Sequence, residues 1–134
     1  MNPSLSGSWS YRSFRHDPIV LKEGMVVGDP ELAVPWSSRG VLEVSTNTEG
    51  LVSGILTFAP GVALKVSGSI VPATDKCPPS VNLTGEGLGS VNRIKGFFIP
   101  ESDHVVGTIM CAEHDLLKQP NGTLGPFVLV PIQA

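Results

Sequence analysis

Residues 51–71 read LVSGILTFAPGVALKVSGSIV, and this run decides the fold. Val52, Leu56 and Phe58 alternate with Ser53 and Thr57, and Leu64, Val66 and Ile70 alternate with Lys65, Ser67 and Ser69. A period of two is the signature of strands with one buried face. Pro60 and Gly61 between the halves make a tight turn, so the run predicts a hairpin. Each half has a Ser-Gly pair near its centre, and the sentence "apolar, small polar, glycine, apolar" recurs with variations at Gly85, Gly96 and Gly107. From Gly54 to Gly107 the glycines are spaced 14, 17, 11 and 11 residues apart, which is one strand plus one turn each time. Crossover helices do not fit in such intervals. A glycine at the centre of a strand weakens it, and its recurrence is accounted for by the sharp coiling of a small closed barrel, where neighbouring backbones approach closely.

Working outward, eight segments show the same period: 7–14, 40–46, 51–59, 62–71, 80–88, 92–100, 104–112 and 125–132. Eight strands close into a barrel whose interior holds side chains or one small ligand. The expected fold is therefore all-β, an eight-stranded antiparallel up-and-down barrel. Turn chemistry agrees, with Asn47 to Gly50, Pro60-Gly61 and Asn121-Gly122 between segments. The exception is 15–39, a connection of about 25 residues with Pro18, Pro30, Pro35 and Trp36. It suits a cover over one barrel mouth or a tether without function, and 19–27 offers a short extra strand.

Composition narrows the function classes. The 134 residues make one domain, 1–134, with 15 glycines and 12 prolines, too many backbone breakers for long helices. A net charge of −3 with scattered basic residues argues against a nucleic-acid partner. No apolar run approaches the ~20 residues of a membrane span, and the opening Met1 to Gly7 has no basic-then-apolar export pattern. A cytoplasmic protein is expected, with Cys77 and Cys111 as free thiols and the sequons at Asn82 and Asn121 without meaning.

The two faces of the strands differ. Trp9, Tyr11, Leu42, Val44, Leu56, Val66, Leu83, Ile94, Val105, Ile109 and Cys111 belong to one apolar set, the expected interior, and Ser53, Thr57, Lys65, Asn82 and Glu86 belong to the set facing water. Toward the C-terminus the outward set turns apolar: Phe97, Ile99, Val106, Met110, Val128, Val130 and Ile132. Such a patch predicts a homodimer through the last three strands, unless the long connection or the N-terminal arm covers it.

Chemical candidates are few. Cys111, Glu113, His114 and Asp115, with Asp103 and His104 nearby, are capable of metal ligation, but alternation splits them between faces and no recognised ligand spacing appears. No metal and no cofactor is expected. The run Gly85 to Gly89 lacks the lysine and helix of a phosphate loop and reads as a strand ending in a turn. Tyr11 points inward, where its hydroxyl either addresses a ligand or bonds a backbone group at the mouth, and Arg12 faces water by alternation.

Gly7-Ser8-Trp9 matches the G-x-W that opens the first strand of calycin barrels, and the glycine-centred strands resemble those of the avidin and streptavidin branch. The likeness covers 5–132 and extends to strand number, meander order and the outward apolar face through which avidin-type barrels pair. The opening from Ser6 to Phe14, SGSWSYRSF, also resembles a group of small uncharacterised microbial proteins. Two departures limit what is carried over. Residues 125–132 lack the arginine that lipocalin-like calycins place over the first-strand tryptophan, and the later strands lack the tryptophans of a biotin site. The resemblance implies a scaffold that binds a small, largely apolar molecule, with Trp9, Tyr11, Trp36, Phe58 and Phe98 as the candidate wall. The alternative is a cofactor-free isomerase or cyclase acting on a hydrophobic metabolite, with Tyr11, Glu43 and His104 as candidate catalytic groups.

Overall fold

The computed structural model describes residues 4–14, 18–21, 24–27, 37–114 and 124–132. They form ten strands: β1 (Gly7–Phe14), β2 (Pro18–Leu21), β3 (Gly24–Val27), β4 (Ser37–Thr46), β5 (Leu51–Ala59), β6 (Val62–Val71), β7 (Ser80–Gly87), β8 (Ser90–Phe98), β9 (Val105–His114) and β10 (Leu124–Pro131). Eight of them close in the order β1-β10-β9-β8-β7-β6-β5-β4, every pair antiparallel. This is the expected meander barrel, calycin-like in form. β2 and β3 pair as a separate two-stranded sheet, so the expectation of one extra strand in 19–27 becomes a hairpin. The first three residues of β4 also come from the supposed long connection, while Trp36 lies outside the described residues. Among the described residues no helix is long and apolar enough to cross a membrane.

Alternation sets the interior. Trp9, Tyr11, Leu42, Leu56, Leu64, Val66, Val81, Leu83, Val105 and Ile109 are buried, and Phe127 and Leu129 of β10 complete the packing. Outside, Ser53, Lys65, Asn82 and Glu86 are exposed. So is Ile55, whose register partners Glu43 and Lys65 flank it with charge.

The strand glycines are required by closure. A side chain at Gly54 would overlap the Glu43 carbonyl oxygen, one at Gly68 would overlap that of Asn82, and one at Gly107 would overlap that of Lys95. Gly96, the register partner of Gly107, leaves room instead for Phe127, whose Cζ would be 2.8 Å from an added Cβ. Gly85 is different, because its nearest neighbour would be a flexible Leu64 methyl at 3.3 Å.

The turns follow local chemistry. Asn47 Oδ1 accepts from the backbone N–H of Glu49 and of Leu51, both at 2.9 Å. Leu88 and Gly89 form a two-residue hairpin loop with φ of 53° and 70°, the twist that suits flanking strands. Gly107→Ala should therefore destabilise the protein by at least ~3 kcal/mol, since backbone cannot yield as a side chain can, and Gly85→Ala by under ~1 kcal/mol. Urea denaturation midpoints of the two variants check this; equal midpoints would remove close approach as the reason for the glycines.

Candidate functional site

Strand direction divides the barrel into two ends of different character. The turns 47–50 and 99–104 and the loop 72–79 gather at the end where β1 begins. The tight turns 60–61 and 88–89 lie at the other, where β1 ends.

The first end is plugged. Leu5 precedes β1 and is completely buried. Its N–H donates to Thr46 Oγ1 at 3.0 Å, Thr46 N–H donates to Ser6 Oγ at 2.8 Å, and its carbonyl accepts the Trp9 indole N–H at 2.7 Å. The polar handle of Trp9 is thus used by the chain itself, which makes this tryptophan an anchor for the plug. Phe98 also belongs to this end. It lines a shallow groove of about 530 Å³ with residues 73–79 and 99–102.

The second end holds an aromatic cluster. The Tyr11 ring packs edge-on to Phe58 at 6.1 Å between centroids and stacks with Phe127 at 6.2 Å. Buried polar side chains collect here too: Ser13 on β1, and Ser90 and Asn92 on β8. Asn92 Nδ2 donates to Ser90 Oγ at 3.1 Å, and Ser90 Oγ donates to the Gly87 carbonyl at 2.9 Å. Ser13 Oγ has no hydrogen-bond partner among the described residues. Leaving a buried hydroxyl unmatched costs about 1–3 kcal/mol, so it is a group suited to meeting a ligand. Cys111, buried opposite Asn92 in register, completes this polar lining.

The wall itself loosens beside the cluster. β4 and β5 pair from Thr46↔Val52 to Val41↔Thr57, where their register ends. On the other edge of β5 the register shifts between Thr57 and Ala59, which makes Phe58 the bulged residue. Bulges bend a strand and re-aim a side chain, and they recur at barrel rims beside functional sites. Gly40 lies close against β5 here, since a Cβ there would come 2.9 Å from the Thr57 carbonyl oxygen and 3.2 Å from Phe58 Cδ1. A groove of about 560 Å³ results, lined by Tyr11, Gly40 and Phe58 from inside the wall and by Arg12, Arg39 and Thr57 from outside it.

The structure brings together only part of each sequence-derived set. Tyr11 and Phe58 share the open end, whereas Trp9 lies toward the plug and Phe98 lies at the plugged end, so the four do not form one wall. Glu43 is exposed on the outer face of β4, opposite Ser8. His104 is exposed in the turn before β9, its Nε2 3.5 Å from Asp103 Oδ1. Neither converges on Tyr11. Among the described residues no group of three or more His, Cys, Asp or Glu side chains is placed to hold a metal ion. Asp115 lies outside the described residues.

Sequence reasoning passed over Ser13, Asn92 and Phe127. The signal was present for all three, because continuing the alternation from Tyr11, Ile94 and Gly125 places each inward. Leu5 had none, being a lone leucine between serines outside any periodic segment. No family model, curated protein or solved structure matches the chain. If Leu5 is the plug, Leu5→Ala should lower stability by about 2–4 kcal/mol and Leu5→Ile by less than ~1.5 kcal/mol. Denaturation followed by tryptophan fluorescence measures both; a neutral Leu5→Ala would show that the end stays closed without it.

Proposed function

We propose that the barrel binds a small, largely apolar molecule at the end where β1 finishes, against Tyr11 and Phe58. The observation that carries this is the groove of about 560 Å³ where the β4–β5 register ends and β5 bulges at Phe58, with Tyr11 and Phe58 in its lining and their rings in edge-on contact. Buried Ser13 and Asn92 at the same end supply the few polar groups that orient a bound molecule. At the opposite end Leu5 and Trp9 fill the interior; among the described residues, the groove of about 440 Å³ at the 47–50 turn has no aromatic side chain in its lining, and that of about 530 Å³ has Phe98 alone. The avidin-like branch of the calycin barrels is the reading that best suits the short hairpins and the glycine-centred strands. Cytoplasmic residence goes with Cys77, exposed, and Cys111, buried, standing outside any disulfide.

A purified chain incubated with a small-molecule extract should retain an unchanged apolar compound, detected by mass spectrometry. Phe58→Ala should weaken retention about tenfold or more, the worth of one buried aromatic side chain. Conversion of the compound, abolished by Tyr11→Phe, would move the assignment to a cofactor-free isomerase or cyclase. Retention unaffected by Phe58→Ala would place binding elsewhere.

The same barrel is proposed to pair through its last strands. Phe97, Val106 and Val128 stand side by side on the outer face across β8, β9 and β10, with Val130 and Ile99 beside them. Met110 is separated from that row by Lys95, Thr108 and Pro126. A closed barrel has no strand edge to extend, so association has to use a face of this kind. Light scattering should give twice the mass of the chain, reduced to one by Val106→Lys with Val128→Lys; a monomeric wild type at working concentration would overturn the pairing.

A further inference from the structure

Arg12 and Arg39 are directly opposed in register on β1 and β4, on the outer rim of the groove that Tyr11 and Phe58 line from within. Directly opposed residues on antiparallel strands hold their Cβ atoms about 5 Å apart, where like charges repel. The chain has four arginines in all, and two of them meet here in a protein of net charge −3. Among the described residues neither forms an ion pair, the one such contact being between His104 and Asp103. Their outward neighbours across the strands are Ser10, Val41, Thr57 and Val128, none of them acidic. Glu43 is four residues further along β4, about 13 Å away at strand rise.

Resting on the proposed binding of an apolar molecule at this end, we infer that the ligand is an amphipathic carboxylate, its apolar body against Tyr11 and Phe58 and its carboxylate on the Arg12 and Arg39 guanidiniums. Two planar guanidiniums side by side match the two oxygens of a carboxylate, and each supplies paired N–H donors. Ser13, one pleat beyond Tyr11 on the same face and unmatched among the described residues, is the inner counterpart of this polar rim. An anion between the arginines would also relieve their mutual repulsion, so the pair is more favourable loaded than empty.

The test compares 11-(dansylamino)undecanoic acid with its methyl ester, which share one body and differ in charge, by fluorescence titration of the full chain. The acid should bind about tenfold tighter than the ester or better at low ionic strength, the worth of a charge-assisted hydrogen bond, with the advantage shrinking as salt is raised. Arg12→Gln and Arg39→Gln should each lower affinity for the acid, and the double variant should bind acid and ester alike, with ester affinity unchanged throughout. Equal binding of acid and ester by the wild type would overturn the carboxylate and leave the apolar-binding reading standing. A preference for acid that survives in the double variant would overturn the role of the arginines. Binding of neither probe would overturn both proposals. The melting temperature without ligand should stay level or rise in the variants; a fall of several degrees would show that a carboxylate of the chain already occupies the pair, and would overturn the inference.

Discussion

Adjacent strands of this barrel approach so closely at Gly54, Gly68 and Gly107 that a methyl group at any of them would collide with a neighbouring carbonyl oxygen. Eight strands closing on themselves must tilt and coil tightly, and the backbone contacts at these glycines are where that coiling is concentrated. The rest follows from the narrow cylinder. Its interior is filled by one inward side chain per pleat, which is why the buried set is a nearly unbroken list of valine, leucine and isoleucine with aromatics toward the ends. Closure also removes strand edges from the barrel, so any association or binding has to use a face, an end or a local break in the ladder.

The ends answer that constraint in opposite ways. At one, Leu5 drops into the barrel and the Trp9 indole, Thr46 and Ser6 tie its backbone down, so the polar groups of the N-terminal segment are matched as its leucine is buried. At the other, an extra residue in β5 shifts its register with β6, the β4–β5 register ends, and Tyr11 with Phe58 and Phe127 forms an aromatic cluster beside buried hydroxyl, amide and thiol groups. A plug at one end and a bulge at the other give the molecule a polarity along its axis. A ligand would find its apolar contacts and its few orienting groups at the loosened end, next to the only register-opposed arginines of the described ladder.

Much of the barrel was legible because a strand with one buried face carries its own signature. The hairpin at 51–71, the eight segments and the inward apolar set all followed from a period of two, and the structure shifts their boundaries by three residues at most. Less of the candidate site was legible. Tyr11 and Phe58 were both recognised as inward aromatics, but so were Trp9 and Phe98, and nothing in the alternation tells which end of the barrel a side chain occupies relative to another strand's. Glu43 and His104 were legible as ionisable groups, on β4 and just before β9, yet the pleat and the 99–104 turn expose them.

By itself the sequence determined the number and order of the barrel strands and their two faces, because pleating and turn formation are local: alternation, Pro60-Gly61 and Asn47 act within a few residues of themselves. Only the tertiary structure decided that Leu5 is a plug, that β5 bulges at Phe58, and that Arg12 meets Arg39. Each of these depends on register between strands distant in the chain, and register is set by the closure of the whole barrel.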